Sequence, residues 1–422
     1  MKSSNNQINN YSKLITLLLY LSLLIGFFLN EDSNGGAIND YEGYLSIIKD
    51  FNLDFNHTFL NFDNYGERHS PVLIILLSFL YKFNIDDSVI RLLNLNFSII
   101  SVIFFFKCLK IKFDNIDNKY LYLISLTFFL SPTFRSLSIW PDSRIYGLHF
   151  FIISTFYYLK FIYTEKKVYY CYLNIFFLAI SSYFSPNFSL FSVFFLYQFY
   201  KELKISKELF WCIAINLILA FPAFYYLFIL DVFFLSSGRV PGFDQTTVFG
   251  LPIQFNIFNK ILIISSILMF YFIPILIIKK KIFLYSNKIE IKNFLIILSS
   301  FLFMVYTFDY KLSYTGGGIF LHLSNFLFKN NLLFYVISLY SIIFIFKFCN
   351  QAKDNLFLVI IIFLSNPQLT IYHKYYDPLI LLLIFTLFRI DFERSFFNLK
   401  NVSIIYLFLT SFLILNLLKS YI

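Results

Sequence analysis

Residues 31–70 read EDSNGGAINDYEGYLSIIKDFNLDFNHTFLNFDNYGERHS and interrupt a chain that is otherwise strongly apolar. Eight of the 24 acidic residues of the chain lie in this stretch, against two basic ones, Lys49 and Arg68. Apolar runs flank it on both sides, at 14–29 and 71–83. Because a polar segment between membrane spans must face water, the stretch predicts an acidic loop outside the bilayer, in a position where loops commonly carry function.

The composition of the whole chain is typical of a membrane protein. Of its 422 residues, 59% are hydrophobic and 14% are charged, whereas soluble domains carry about 25% charged residues. The apolar runs recur along the entire length, so the sequence predicts an all-α, polytopic membrane protein. The formal net charge is +10, but the basic residues lie in short segments between apolar runs. That arrangement indicates membrane topology, and no nucleic-acid partner is predicted.

The first apolar run, 14–29, sets the predicted orientation. Lys2 and Lys13 precede it, and residues 26–30 lack the small-x-small pattern of a signal-peptide cleavage site, so we expect an uncleaved span. Positive residues before a first span favour a cytoplasmic N-terminus. The loop 31–70 is then extracytoplasmic.

Twelve further apolar runs are candidate spans, several of them shorter than the ~20 residues that a full crossing needs. They cover 88–106, 119–131, 143–163, 169–183, 187–200, 209–230, 260–279, 291–308, 331–348, 354–365, 373–389 and 402–421. The short run 71–83 is interpreted as a re-entrant or interfacial helix. These choices predict a single integral membrane domain, 1–422, with about thirteen transmembrane helices and an extracytoplasmic C-terminus.

Lysine and arginine cluster at alternate gaps between these runs, as the positive-inside rule predicts for cytoplasmic loops. The clusters are Lys107/Lys110/Lys112/Lys119, Lys160/Lys166/Lys167, Lys201/Lys204/Lys207, Lys279/Lys280/Lys281/Lys288/Lys292, Lys347/Lys353 and Arg389/Arg394/Lys400. Besides 31–70, the predicted outer face then carries two long loops, 231–259 and 309–330. The four cysteines fall at cytoplasmic ends in this topology, where thiols stay reduced.

The first outer loop contains the strongest candidate for a reactive carboxylate. Asp40 opens the segment DYEGYLSIIKDF, whose apolar positions predict a short amphipathic helix at the membrane surface. Tyr44 lies one turn later on the same face. An aspartate at this position is equally typical of a helix N-cap. Glu31 and Asp32 are the competing acids, nearer the first span.

Two further sites of the predicted outer face carry polar side chains beside apolar helices. Arg68 and His69 precede Pro71 and suit either a phosphate or an interfacial position. Asp142 follows a proline and opens the run 143–163, as an N-cap does. Arg135, Trp140 and Arg144 surround it in the sequence.

A third cluster, IYHKYYDPLILLL, precedes the penultimate predicted span. His373, Lys374 and Tyr375 lie here, followed by Tyr376 and Asp377. A basic and phenolic cluster at this edge suits a lipid head group. The sequence contains no zinc, Walker or dinucleotide-binding motif at a useful position.

The order of these motifs resembles a known family. Asp40-x-x-x-Tyr44 in the first outer loop is followed by His69-x-Pro71, by Arg91-Leu92-Leu93 and by Pro141-Asp142. This order resembles the GT-C superfamily of polyprenyl-phosphate-sugar glycosyltransferases, in particular its protein O-mannosyltransferase and aminoarabinose transferase branch. The resemblance covers residues 10–165. Three positions depart from the family motifs: Tyr41 replaces an acid, Ser70 a proline and Trp140 an arginine.

The resemblance implies an inverting glycosyltransferase with a GT-C-like helical bundle and Asp40 as catalytic base. Substrate-binding roles are implied for Tyr44, Arg68, His69, Asp142, His373, Lys374 and Tyr375. The implied donor is a polyprenyl-phosphate-linked sugar in the bilayer, and the acceptor is a glycan, a lipid or a protein of the cell envelope. The implied location is the outward face of a bacterial plasma membrane. No cofactor is implied with certainty, and a divalent metal stays open.

Two other functions fit a polytopic membrane protein. A polysaccharide polymerase or ligase would carry its chemistry in a large late outer loop, and 231–259 holds only Asp231, Arg239 and Asp244 as charged residues. A lipid or solute transporter would show paired repeats or charges deep within spans. Neither feature is evident in the sequence.

Overall fold

The computed structural model describes residues 2–67, 69–230, 232, 256–279, 290–312, 316–366 and 370–421. These residues form α-helices, short 3-10 turns and one π-helical turn, with no strand among them, which confirms the predicted all-α class. The helices are α1 (Lys2–Phe28), α2 (Ala37–Leu53), α3 (Phe55–Leu60), α4 (Val72–Lys82), α5 (Asp87–Lys112), α6 (Asn118–Leu126), α7 (Pro132–Ile139), α8 (Ser143–Tyr163), α9 (Tyr169–Phe184), α10 (Phe191–Leu203), α11 (Lys207–Phe224), α12 (Ile257–Ile278), α13 (Ile291–Tyr306), α14 (Gly318–Phe328), α15 (Leu332–Gln351), α16 (Lys353–Leu364), α17 (Leu379–Phe385) and α18 (Leu399–Tyr421).

Six helices of the described chain are long and apolar enough to cross a membrane. They are Asp87–Lys112, Ser143–Tyr163, Lys207–Ile229, Ile257–Ile278, Leu332–Gln351 and Leu399–Leu418. Four shorter apolar helices join them, among them Ser12–Phe28 and Val72–Lys82. The protein is therefore a polytopic helical membrane protein, while about thirteen crossings stays a prediction.

Several of the predicted spans are represented by short helices. The run 354–365 corresponds to α16, with 12 residues, and the run 373–389 contains α17, with 7 residues. At 1.5 Å per residue these helices measure about 18 Å and about 10 Å, against a hydrocarbon core of about 30 Å. Every residue of α17 is buried in the protein. Neither helix crosses a bilayer by its own length.

The chain divides into two compact units, Met1–Pro252 with Leu409–Ile422, and Ile253–Phe408. In the first unit α8 packs against α5 and α9. In the second unit α12 is the central helix, in contact with α13, α14, α15, α16 and α17. The single integral membrane domain stays a prediction.

The acidic loop folds into the short helices that its pattern predicts. In α2 the side chains of Tyr41, Tyr44, Ile47, Ile48 and Phe51 are buried. Their face packs against α4, the helix formed by the apolar run that follows the loop. The amphipathic pattern of α2 therefore covers a protein surface, and the packing holds the first turn of α2 in a fixed position.

Candidate active site

The N-terminus of α2 is capped by Asp32. Its carboxylate accepts the backbone N–H groups of Gly36, at 2.6 Å, and of Ala37, at 3.1 Å. Gly36 is the N-cap residue, with a left-handed φ of 116° that favours glycine. Asp40 consequently lies within the first turn, so the N-cap interpretation of Asp40 is wrong. Its side chain stays 41% exposed.

Arg144 joins Asp40 to a second carboxylate, that of Asp142. Arg144 Nη2 lies 2.7 Å from Asp40 Oδ2 and 2.6 Å from Asp142 Oδ2, and its Nε donates to Asp142 Oδ1 at 2.7 Å. Asp142 also caps α8, because it accepts the backbone N–H of Arg144 at 2.7 Å. Both Asp142 and Arg144 are buried. The bidentate pair fixes the guanidinium, and Nη2, which already donates to Asp142, donates to Asp40 as well.

Electrostatics keep Asp142 charged despite its burial. Burial alone raises the pKa of Asp142, but the charge and hydrogen bonds of Arg144 outweigh burial and hold this pKa well below its usual range. Asp142 lies buried at 2% exposure, behind Arg144. A role in holding Arg144 fits that location better than direct contact with a substrate.

Tyr44 and His69 lie buried in the same electrostatic neighbourhood. Burial, and then the charge of Asp142, raise the pKa of Tyr44 well above its usual value, so the phenol keeps its proton. Burial lowers the pKa of His69, although Asp142 and Glu67 oppose the shift. His69 is therefore neutral at pH 7 and can offer one N–H rather than a positive charge.

Glu31, one of the competing acids, is committed to a buried ion pair. Arg135 Nε and Nη2 lie 2.7 and 2.5 Å from its two carboxylate oxygens, and Ser33 donates to Oε1 at 2.8 Å. The side chains of Glu31 and Arg135 are 6% and 5% exposed. A Cβ atom at Gly26 would collide with this carboxylate, so glycine makes room for the pair. Of the three acids proposed from the sequence, Asp40 alone is neither capping a helix nor sealed in a buried pair.

The remaining family-like motifs surround this ion pair. Arg91 places its guanidinium carbon 3.5 Å from the centre of the Trp140 ring and donates to Asn30 at 2.9 Å. The Trp140 indole donates to the backbone carbonyl of Glu31 at 3.1 Å. At the position where the resembled family has an arginine, Trp140 thus provides a surface on which Arg91 stacks.

An apolar cavity of about 360 Å³ begins immediately after His69 in the chain. Ser70, Pro71 and Val72 form one wall. Side chains of α9 and α11 supply most of the rest, and small residues such as Ala179 and Ala220 leave the space open. The α11 region is a candidate membrane span with few buried residues.

The third cluster predicted from the sequence, around His373, Lys374 and Tyr375, lies in the second unit. His373 and Tyr375 bound a short 3-10 turn, and His373 Nε2 lies 3.0 Å from the Tyr271 hydroxyl of α12. The Lys374 ammonium lies 5.3 Å from the centre of the Tyr372 ring. This turn follows a short antiparallel bridge between Gly316 and Tyr372.

Several sequence predictions fall on parts of the chain that the structure does not describe. Arg68 lies outside the described residues, as does most of the loop 231–259. Within 309–330, residues 313–315 lie outside them, and α14 occupies Gly318–Phe328. Among the described residues no group of three His, Cys, Asp or Glu side chains is arranged to hold a metal ion.

The structure also adds residues to which the sequence gave no role. Arg144 was notable only as a basic residue on the predicted outer face, and its pairing with Asp40, 104 positions away, becomes visible in three dimensions. Glu67 joins the charges around His69 and accepts the backbone N–H of that residue at 3.1 Å. Tyr271 carried no signal, because tyrosines are common along this chain.

Compared with known proteins, the chain matches no family model, no curated protein and no solved structure. Its candidate site therefore rests on the residues and distances above.

Proposed function

We propose that the protein is a membrane glycosyltransferase that moves a sugar from a polyprenyl-phosphate donor to an acceptor on the outer face of the membrane. The observation that carries this proposal is the Asp40 carboxylate, which is accessible to water and held 2.7 Å from a buried arginine. An oriented, accessible carboxylate beside buried polar groups is what a general base requires. The resemblance of the motif order supports the same class of reaction.

In the proposed reaction Asp40 accepts the proton of an acceptor hydroxyl. The acceptor oxygen forms a new bond to the anomeric carbon of the donor sugar as the bond from that carbon to the phosphate oxygen breaks. The electron pair of the broken bond leaves with the polyprenyl phosphate, and attack from the opposite side inverts the anomeric centre. Arg144 orients Asp40, and the buried pair with Asp142 holds Arg144 in place.

Tyr44 and His69 supply neutral hydrogen-bonding groups in this scheme. The Tyr44 phenol keeps its proton, and neutral His69 offers one N–H, so each can donate to an oxygen that gains negative charge. Cationic help for the departing phosphate is assigned to Arg68. His373, Lys374 and Tyr375 of the second unit are proposed separately as a site for a lipid head group. The acceptor is a glycan, a lipid or a protein.

The apolar cavity fits a donor that arrives through the bilayer. Its walls are formed largely by Ile175, Leu178, Leu219 and other apolar side chains, and one wall is continuous in sequence with His69. A hydrocarbon chain in this space would keep its phosphate end near the polar cluster. A donor held by its lipid needs no nucleotide-binding domain.

The proposal is tested with purified protein in proteoliposomes and a polyprenyl-phosphate sugar labelled in the sugar. The expected result is loss of donor and release of polyprenyl phosphate, with transfer to an added acceptor extract. A nucleotide sugar at the same concentration serves as the control and should give no transfer. A donor that is moved across the bilayer intact, with its label still on the lipid, would favour a transporter and overturn the proposal.

A further inference from the structure

Asp87, the first residue of α5, accepts hydrogen bonds from two tyrosines. The hydroxyl oxygens of Tyr41 and Tyr81 each lie 2.6 Å from the same carboxylate oxygen, Oδ1. The two hydroxyl oxygens are 3.0 Å apart, as expected of two donors that share one acceptor. These three side chains, here called the tyrosine clamp, connect α2, α4 and α5.

The burial of Tyr41 and its role as a hydrogen-bond donor stabilise the tyrosine clamp. Tyr41 is 1% exposed, and a buried hydroxyl without a partner is destabilising. Burial, and then the hydrogen bond to Asp87, raise the pKa of Tyr41 far above its usual value. Tyr41 therefore remains a donor, and hydrogen bonds from O–H groups to a carboxylate are among the stronger ones.

Because Tyr41 follows Asp40 in the same helix, the tyrosine clamp sets the direction in which Asp40 points. Successive residues of an α-helix point about 100° apart, because a turn holds 3.6 residues. With Tyr41 fixed towards α4 and α5, the rotation of α2 about its axis is fixed too, and Asp40 points towards Arg144. The centre of the Tyr41 ring also lies 5.9 Å from the centre of the Trp140 ring. Trp140 precedes Asp142 by two residues.

We infer that Asp87, acting through Tyr41 and Tyr81, is a positioning residue for Asp40. This inference rests on the proposed function of Asp40 as base. At position 41, where the resembled family has an acid, this chain has a tyrosine that reaches a carboxylate on another helix. The clamp touches no substrate, and its effect is to set the angle at which Asp40 faces the acceptor.

The chain offers a matched control for the clamp. Tyr65 donates to Asp50 Oδ2 at 2.8 Å, so it makes the same kind of bond to the same helix, α2, three turns away from Asp40. Tyr41→Phe should lower the single-turnover transfer rate by roughly tenfold, because small misplacements of a base are costly, with the donor KM nearly unchanged. Tyr65→Phe should leave the rate at the wild-type value. Equal rates for the two variants would overturn the inference.

Two further measurements separate positioning from stability and from the function itself. Tyr41→Phe should slow no further a protein that already carries Asp40→Asn, since both substitutions act through one carboxylate. Independently of sugar transfer, an Asp40→Cys thiol should react with iodoacetamide roughly threefold faster once Tyr41→Phe loosens the first turn, and no faster with Tyr65→Phe. The four native cysteines are buried and give a low background. Unchanged reactivity would contradict the clamp, whereas faster reactivity without any sugar transfer would contradict only the proposed function.

Discussion

Two carboxylates of the acidic loop 31–70, Glu31 and Asp40, are each paired with an arginine from a later part of the chain, and the two pairs differ in exposure. The Glu31 side chain is 6% exposed and is gripped at both oxygens by Arg135. The Asp40 side chain is 41% exposed and accepts a hydrogen bond from Arg144 Nη2 at Oδ2. The Asp40 carboxylate is accessible to water, whereas the Glu31 carboxylate is buried.

The difference shows how one loop separates a structural acid from a candidate catalytic one. In the Glu31 pair both carboxylate oxygens bind Arg135 of α7, and Arg135 also donates to Ser22 of α1. In the Asp40 pair, Asp142 neutralises the charge of Arg144 and accepts hydrogen bonds from its Nε and Nη2 atoms. Asp40 is therefore oriented without being enclosed, which is the arrangement that a proton acceptor requires.

Arg144→Gln should have the largest effect, because it changes both the stability of the protein and the rate of transfer. It leaves Asp142 buried and charged without its bidentate partner, a change that costs about 3–5 kcal/mol in buried pairs. It also releases Asp40, so transfer per folded molecule should fall by roughly 10²-fold. Thermal unfolding in detergent and the transfer assay measure the two effects. Arg144→Lys should keep more stability than Arg144→Gln, and equal stability of both with wild type would refute the role of this arginine.

Glu31→Gln should affect stability alone. Arg135 would stay buried without its carboxylate, and stability should fall by about 3–5 kcal/mol. Transfer per folded molecule should stay within about threefold of wild type, because Glu31 is assigned no part in proton transfer. Replacing Arg135 by Gln as well should recover part of the stability. A large loss of activity in folded Glu31→Gln protein would move the catalytic assignment to Glu31.

The burial of His69 predicts that the stability of the protein depends on pH, with a smaller effect than the Arg144 and Glu31 substitutions. Its pKa is lowered by burial, so in mildly acidic solution the unfolded chain takes up a proton that the folded protein does not. Stability is thus complete above the ordinary histidine range and is lost as pH falls below it, by at most about 1.36 kcal/mol per pH unit. Unfolding temperatures from pH 8 to pH 5 should fall less steeply for His69→Gln than for wild type. Parallel curves would show that His69 does not contribute.

Asp32→Asn should have the smallest effect. Asparagine keeps one of the two accepting oxygens and replaces the other by an NH2 donor, so stability should fall by about 1 kcal/mol or less and activity should stay near wild type. The transfer assay and thermal unfolding read both. Loss of activity comparable to that of Asp40→Asn would mean that Asp32 has been wrongly assigned to capping.

The sequence predicted the helices of the acidic loop better than their partners. Two local signals predict these helices. The helical spacing of apolar residues from Tyr41 to Phe51 predicts α2, and the proline at 71 predicts the start of α4. Asp32, and not Asp40, caps α2, because Gly35 and Gly36 allow a turn in which an acid four residues earlier reaches the helix. Such a turn has no periodic pattern of apolar residues, so the sequence does not reveal it.

The candidate site was only partly accessible from the sequence. Asp40, Tyr44, His69 and Asp142 were named from the order of short motifs, whereas composition and periodicity alone did not bring them together. The Asp40–Arg144 pair joins residues 104 positions apart, and a long-range ion pair leaves no local trace. Short helices such as α17 were extended into spans because an apolar run looks the same in a protein core and in lipid.

The most direct test of Asp40 as the base is the single-turnover transfer rate of Asp40→Asn protein relative to wild type, in proteoliposomes loaded with labelled polyprenyl-phosphate sugar. Asparagine preserves the shape of the side chain and cannot take up the proton. We predict a rate lower by roughly 10²-fold or more, with an unfolding temperature close to that of wild type. A folded Asp40→Asn protein that transfers sugar at the wild-type rate would contradict the assignment of Asp40 as the catalytic base.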